Sequence, residues 1–243
     1  MKYLNFDHQW KKISPRNWTF VGNLILVSLL ILLSSCQNFS PKDPQVSSTD
    51  AKTNQTIPTL ENFDLAAEEW QTIQGEGITL SLPKSYRGGN PLRDLTEIES
   101  AISQLDEKYE KRLQAIKPNL DNTLLIAFDA RSFEPDTLTN VNVVQQPYQK
   151  ETSLEEYLSQ AVKQLQSTHE IEEKTILTQN QSSLGRIVAK VTTEERTTLQ
   201  QLFYFQPQAE TMRISTYSTP ASEFQRRIAN FKRSIASLQP QVQ

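Results

Sequence analysis

Hydrophobic residues recur along this chain in two rhythms, steps of two and steps of three to four, and the change from one to the other lays out its elements. Trp70 to Gln74 and Ile78 to Leu82 alternate as strands on either side of a Gly75-Glu76-Gly77 turn; Ile78, Leu80 and Leu82 share a face and Pro83 closes the second strand. From Asp94 to Lys117 the spacing becomes helical. Leu95, Ile98, Ile102, Leu105, Tyr109, Leu113 and Ile116 make one apolar stripe, Asp94 and Glu97 stand as a capping box, and Pro118 follows the end. Such a stripe covers one side of the domain's own sheet or offers a coiled-coil partner surface.

Thr123 to Asp129 and Thr139 to Gln146 read as strands around a loop over 131–136. A capping box of Ser153 and Glu156 then opens a helix to about Gln166, with Leu154, Tyr157, Leu158, Ala161 and Leu165 inward. Four strand patterns follow, over 170–178, 184–193, 197–206 and 211–217. Their short polar connections predict antiparallel hairpins. In the third, Leu199, Phe203 and Phe205 share one face and Leu202 and Tyr204 the other, which predicts a central strand covered on both sides. The last element is a helix with Thr219 as its cap and Pro220 at its first position. Phe224, Ile228, Phe231, Ile235 and Leu238 line its inner face, and Arg226, Arg227, Lys232 and Arg233 form a basic cluster outside.

The N-terminal region follows neither rhythm. Val21 to Leu33 is an apolar run of 13 residues, short of the roughly 20 that cross a bilayer as a helix. Lys2, Lys11, Lys12 and Arg16 precede it and small residues follow, the order of an export signal. It closes on Leu33-Ser34-Ser35-Cys36, which resembles the bacterial lipobox. That resemblance implies a diacylglycerol thioether on Cys36, cleavage before it, and stable anchoring through two or more acyl chains. The expected organisation is a signal peptide over 1–35, a lipidated N-terminus and tether over 36–66, rich in Ser, Thr, Asn, Gln, Asp and Pro, and one domain over 67–240.

Composition narrows the functions open to that domain. Residues 1–35 hold four of the 25 basic residues and one of the 28 acidic ones, so their removal takes the net charge from −3 to −6. An acidic chain lacks the electrostatic footprint of a general nucleic-acid binder. Cys36 is the only cysteine, so no disulfide supports the fold, and Cys/His zinc sites and a Cys-His pair are excluded. Ser81-Leu82-Pro83-Lys84 has the Ser-x-x-Lys form of some acylating hydrolases, but lies on a strand where those enzymes need a helix start. The densest potential metal group is His169, Glu170, Glu172 and Glu173. Strict strand alternation puts His169 and Glu173 on one face and Glu170 and Glu172 on the other, so no more than two ligands converge. Neither a catalytic constellation nor a cofactor or metal site is expected.

The Ile78-Thr79-Leu80-Ser81-Leu82-Pro83-Lys84-Ser85-Tyr86 stretch resembles the opening of PsbP-like domains. So do Phe128-Asp129, Leu138-Thr139-Asn140-Val141-Asn142-Val143-Val144, Ser153-Leu154-Glu155-Glu156-Tyr157-Leu158, and the ending of four strands and a helix carrying Phe224, Phe231 and Ser234. The resemblance implies an α+β fold, an α/β/α sandwich around a mainly antiparallel sheet. It also implies a lipoprotein exported toward a thylakoid lumen or periplasm in a photosynthetic prokaryote, related to an extrinsic photosystem II subunit. The long helix over 94–117 departs from that pattern and argues for a relative rather than the subunit. The expected role is thus a non-enzymatic accessory protein that binds or helps assemble a membrane protein complex, photosystem II being one candidate, with Arg226, Arg227, Lys232 and Arg233 facing the partner or lipid. The alternatives are a ligand-binding or hydrolytic envelope lipoprotein and an oligomer built on the long helix.

Overall fold

The computed structural model describes residues 68–103, 117–131, 138–179, 182–193 and 196–241. Its elements in chain order are β1 (Trp70–Gln74), β2 (Ile78–Pro83), β3 (Tyr86–Gly89), α1 (Leu95–Ser103), a 3₁₀ helix (Lys117–Asn122), β4 (Thr123–Asp129), β5 (Asn140–Pro147), α2 (Leu154–Leu165), β6 (Glu170–Gln179), β7 (Ser182–Thr192), β8 (Thr198–Pro207), β9 (Thr211–Pro220), α3 (Ala221–Ala236) and β10 (Gln239–Pro240). Cys36 and the expected tether lie outside the described residues, as do 104–116 of the predicted long helix and most of the predicted 131–136 loop.

Seven strands form one sheet in the order β3-β4-β5-β9-β8-β7-β6, and β1, β2 and β10 form a second. Every pairing is antiparallel. The hairpins from β6 to β9 arise because consecutive patterned strands are joined by segments too short for a crossover. Gly77, at φ +63°, provides the left-handed residue that lets β1 turn tightly into β2.

β8 shows why the large sheet needs two covers, since it is buried without interruption from Leu199 to Phe205. Phe203 and Phe205 pack with Leu158, Ala161 and Leu165 of α2. Leu202 and Tyr204 pack on the opposite face with Phe224, Phe231 and Ile235 of α3, and with Ile78, Leu80 and Leu82 of the small sheet. A third cluster of Ile98, Ile126, Phe128 and Leu138 seats α1 on β4. Helices on both faces of an antiparallel sheet make this the expected α+β fold, an α/β/α sandwich.

Local departures have local causes. Thr219 is a strand residue paired with Gln200, and its Oγ1 shares a 2.8 Å hydrogen bond with Thr139 Oγ1, so it does not cap α3. Pro220 occupies the cap and no side chain caps the helix. At the start of α1 the Asp94 carboxylate accepts the Asn90 N–H and pairs with Arg93 instead of completing a capping box. Lys117 opens a 3₁₀ helix rather than closing an α-helix. β3 escaped the hydrophobic pattern because it is four residues long with two glycines, and β10 because its two residues carry no pattern at all.

Candidate functional site

The four cations expected to face outward on α3 do not act as one surface. Arg227 turns inward, where its guanidinium reaches Asp129 Oδ2 and Glu223 Oε2, each at 2.5 Å. The three side chains are 12%, 2% and 8% exposed. Burial works against the Arg227 charge, yet Tyr86, Asp129 and Glu223 around it hold its pKa above the usual guanidinium range. Burial, and then the charge of Asp129, push the Tyr86 phenol up. Arg226 pairs with Glu223 at 3.3 Å. Arg233 lies over the Trp70 ring, 4.1 Å from its centroid. Lys232 is exposed and has no ion pair with a described residue.

This arrangement fastens the point at which the N-terminal segment enters the fold. Glu68 accepts a hydrogen bond from Asn230 Nδ2 at 2.5 Å and pairs with Arg131, just beyond β4. Glu69 pairs with Lys84 at 2.6 Å, which holds the Glu69 carboxyl below its ordinary value. The Arg87 guanidinium donates to the Tyr86 carbonyl at 2.9 Å and to that of Lys84 at 2.5 Å. The β2–β3 turn, the end of β4 and one side of α3 therefore meet around Glu68–Trp70. Chain order hides this meeting, since Glu68 and Asn230 are 162 residues apart.

The candidate chemical residues are spent elsewhere. No hydrogen bond joins Ser81 to Lys84; the Ser81 N–H donates to Ser237 Oγ at 2.9 Å while Lys84 is held by Glu69. His169 is 6% exposed. Its Nε2 and Gln201 Oε1 are 2.9 Å apart, its Nδ1 and Thr168 Oγ1 are 2.7 Å apart, and Gln201 Nε2 donates onward to Ser218 Oγ at 3.3 Å. A neutral ring with its proton on Nε2 satisfies this chain, and burial lowers the His169 pKa. Asn142 Oδ1 and Thr216 Oγ1, register partners on β5 and β9, are buried without hydrogen-bond partners.

A β-bulge between Ile171 and Glu173 overturns the alternation expected for the His169 group. Glu172 pairs with Lys190 and Glu173 with Arg186, on the face opposite Ile187 and Ala189, so neither carboxylate shares a face with His169. Among the described residues no three His, Cys, Asp or Glu side chains form a metal-binding group. A cleft of about 170 Å³ between the ends of β8 and α3 is lined by Ser182, Gln206, Ile235 and Leu238; neither Ser81 nor His169 borders it. Among the described residues no helix is long and apolar enough to cross a membrane.

No protein-family profile and no curated protein sequence matches the chain. Solved structures similar to it include cyanobacterial PsbP (CyanoP) from Synechocystis sp. PCC 6803, at 10% identity, with 76% of this chain and 100% of that chain covered and a TM-score of 0.47. LpqN, involved in cell envelope biogenesis of Mycobacterium tuberculosis, is 9% identical over 71% of this chain and 91% of its own, with a TM-score of 0.43. The Saccharomyces cerevisiae Ran-binding protein Mog1p is 10% identical over 72% of this chain and 96% of its own, also at 0.43. None of these likenesses assigns a residue or a role here.

Proposed function

We propose that this protein is an exported, lipid-anchored, non-enzymatic accessory module that holds its domain at a membrane and binds or helps assemble a membrane protein complex. The observation that carries the reading is the fastening of Glu68–Trp70 by Arg131, Asn230 and Arg233. A tether from Cys36 would enter the fold there, so the anchor would orient the domain as well as retain it. The groups with potential for acid–base or nucleophilic work, Ser81, Lys84 and His169, sit in structural contacts, which leaves the exposed surface to carry recognition. The membrane lies on the exported side, a thylakoid lumen, periplasm or cell envelope. Photosystem II is the first partner to test.

The experiment is affinity recovery with crosslinking from detergent-extracted native membranes, beside Cys36→Ser, with mass spectrometry of the N-terminal peptide. The expected result is a diacylated Cys36, co-recovery of subunits of one membrane complex, and release of the variant into the soluble fraction. An unmodified Cys36, or recovery of no membrane-complex subunit from intact membranes, overturns the reading.

A further inference from the structure

The entry point of the tether is surrounded by cations from four separate parts of the chain. Lys84 follows β2, Arg87 lies on β3, Arg131 follows β4, and Arg226 and Arg233 stand on α3. Direct contacts connect most of them: Arg226 to Glu223, Glu223 to Arg227, Arg227 to Asp129, and Arg131 to Glu68. Lys84 joins through Glu69 and Arg87 through the Lys84 carbonyl, while Arg233 covers Trp70.

The signs are layered. Asp129, Glu223 and Glu68 are 2%, 8% and 12% exposed, whereas Lys84, Arg131 and Arg226 are 59%, 46% and 33% exposed, and Arg87 and Arg233 are exposed as well. Among the described residues, Glu69, on Lys84, is the one open carboxylate there. With Arg227 beneath, six cations stand against four carboxylates among the described residues, an excess of two positive charges on a chain whose net charge is −3. Solvent at this spot meets cations over buried anions, the reverse of the molecule's overall balance.

We propose that this cationic rim docks the domain on anionic phospholipid headgroups, with Lys84, Arg87, Arg131 and Arg233 meeting their phosphates. Guanidinium groups suit phosphate because two N–H donors reach it together. The inference rests in part on the anchored reading, since a lipid on Cys36 would keep the rim's end of the domain near the bilayer. A tethered domain needs only a weak surface affinity, because the tether keeps its local concentration high. Each rim cation contributes about a threefold to fivefold gain in vesicle binding, reduced where a carboxylate already holds it.

The test uses residues 36–243 carrying Cys36→Ser, so that no lipid contributes, in cosedimentation with vesicles. Vesicles of phosphatidylglycerol mixed with phosphatidylcholine are compared with phosphatidylcholine alone, at low and at high salt. We expect binding to the anionic vesicles only, loss of binding in high salt, and a drop of about tenfold in the double variant Arg87→Gln/Arg233→Gln. Lys150→Gln/Lys163→Gln, which removes the same charge at and beside α2, should bind like the parent. Circular dichroism confirms that each protein is folded. Equal binding to both vesicle types, equal losses in the two double variants, or no binding by the folded chain overturns the rim as a lipid surface; in the last case the same cations are left for an acidic protein. The lipidation state of Cys36, read separately from native material, decides the anchored reading whichever way the vesicles behave.

Discussion

At the scale of single residues the sequence shows which groups exist, and neighbours decide what they are for. His169 is the clearest case. Burial lowers its pKa below the ordinary 6.5, so the unfolded chain binds a proton more readily than the folded one. Stability from this residue is therefore complete above that pH and is lost as pH falls through it toward the native value. Urea unfolding from about pH 7.5 to about pH 5.5 should show a decline in stability. His169→Gln should flatten the decline, and an unchanged slope would mean that other groups cause it. The residue was visible in the chain, but its partners Gln201 and Ser218, 32 and 49 positions on, were not. The carboxylates next to it in sequence, Glu170, Glu172 and Glu173, point instead to a metal group, and nothing local shows that the ring will end in a neutral buried chain.

Elements were the most legible level, because their periodicities are local properties of the chain. The capping box of α2 is formed as read, with Ser153 Oγ accepting the Glu156 N–H at 3.2 Å and the Glu156 carboxylate accepting the Ser153 N–H at 3.0 Å. The central position of β8 followed from its having apolar residues on both faces. The bulge in β6 did not, since nothing in Ile171-Glu172-Glu173 distinguishes a bulged strand from a regular one; cross-strand pairing with Lys190 and Arg186 reveals it. Packing between elements sets another demand. A Cβ on Gly185 of β7 would stand 2.7 Å from Leu158 Cδ2 of α2, so the glycine allows the helix to approach the sheet closely. Gly185→Ala should cost about 1–3 kcal/mol. Combined with Leu158→Ala it should cost less than the sum of the two single changes, as a double-mutant cycle by chemical denaturation would show.

The whole molecule is tied together by pairs that no local pattern announces. Arg227 on α3 and Asp129 at the end of β4 are 98 residues apart, yet they form the innermost part of the cluster around Glu68–Trp70. Arg227→Met takes the nearest cation from two buried carboxylates, leaving Glu223 only Arg226 at 3.3 Å and Asp129 only Arg131 at 3.9 Å, and should destabilise the fold toward the lower end of about 3–5 kcal/mol, measured by urea unfolding. Adding Asp129→Asn should recover part of that loss, and a double variant as unstable as the single one would show that the pair is not the source. The chain's order of residues was enough to place the described α-helices and the strands other than β3 and β10, and the two-sided core of the sandwich. All of these are written in periods of two and of three to four, or in short motifs. Tertiary structure alone settled which basic residues of α3 face inward, which stand over Trp70, and how Lys84, Arg87 and Arg131 come to join them. The reason is physical: periodicity reports a residue's face within its own element, whereas ion pairs and surface charge depend on how distant elements are brought together.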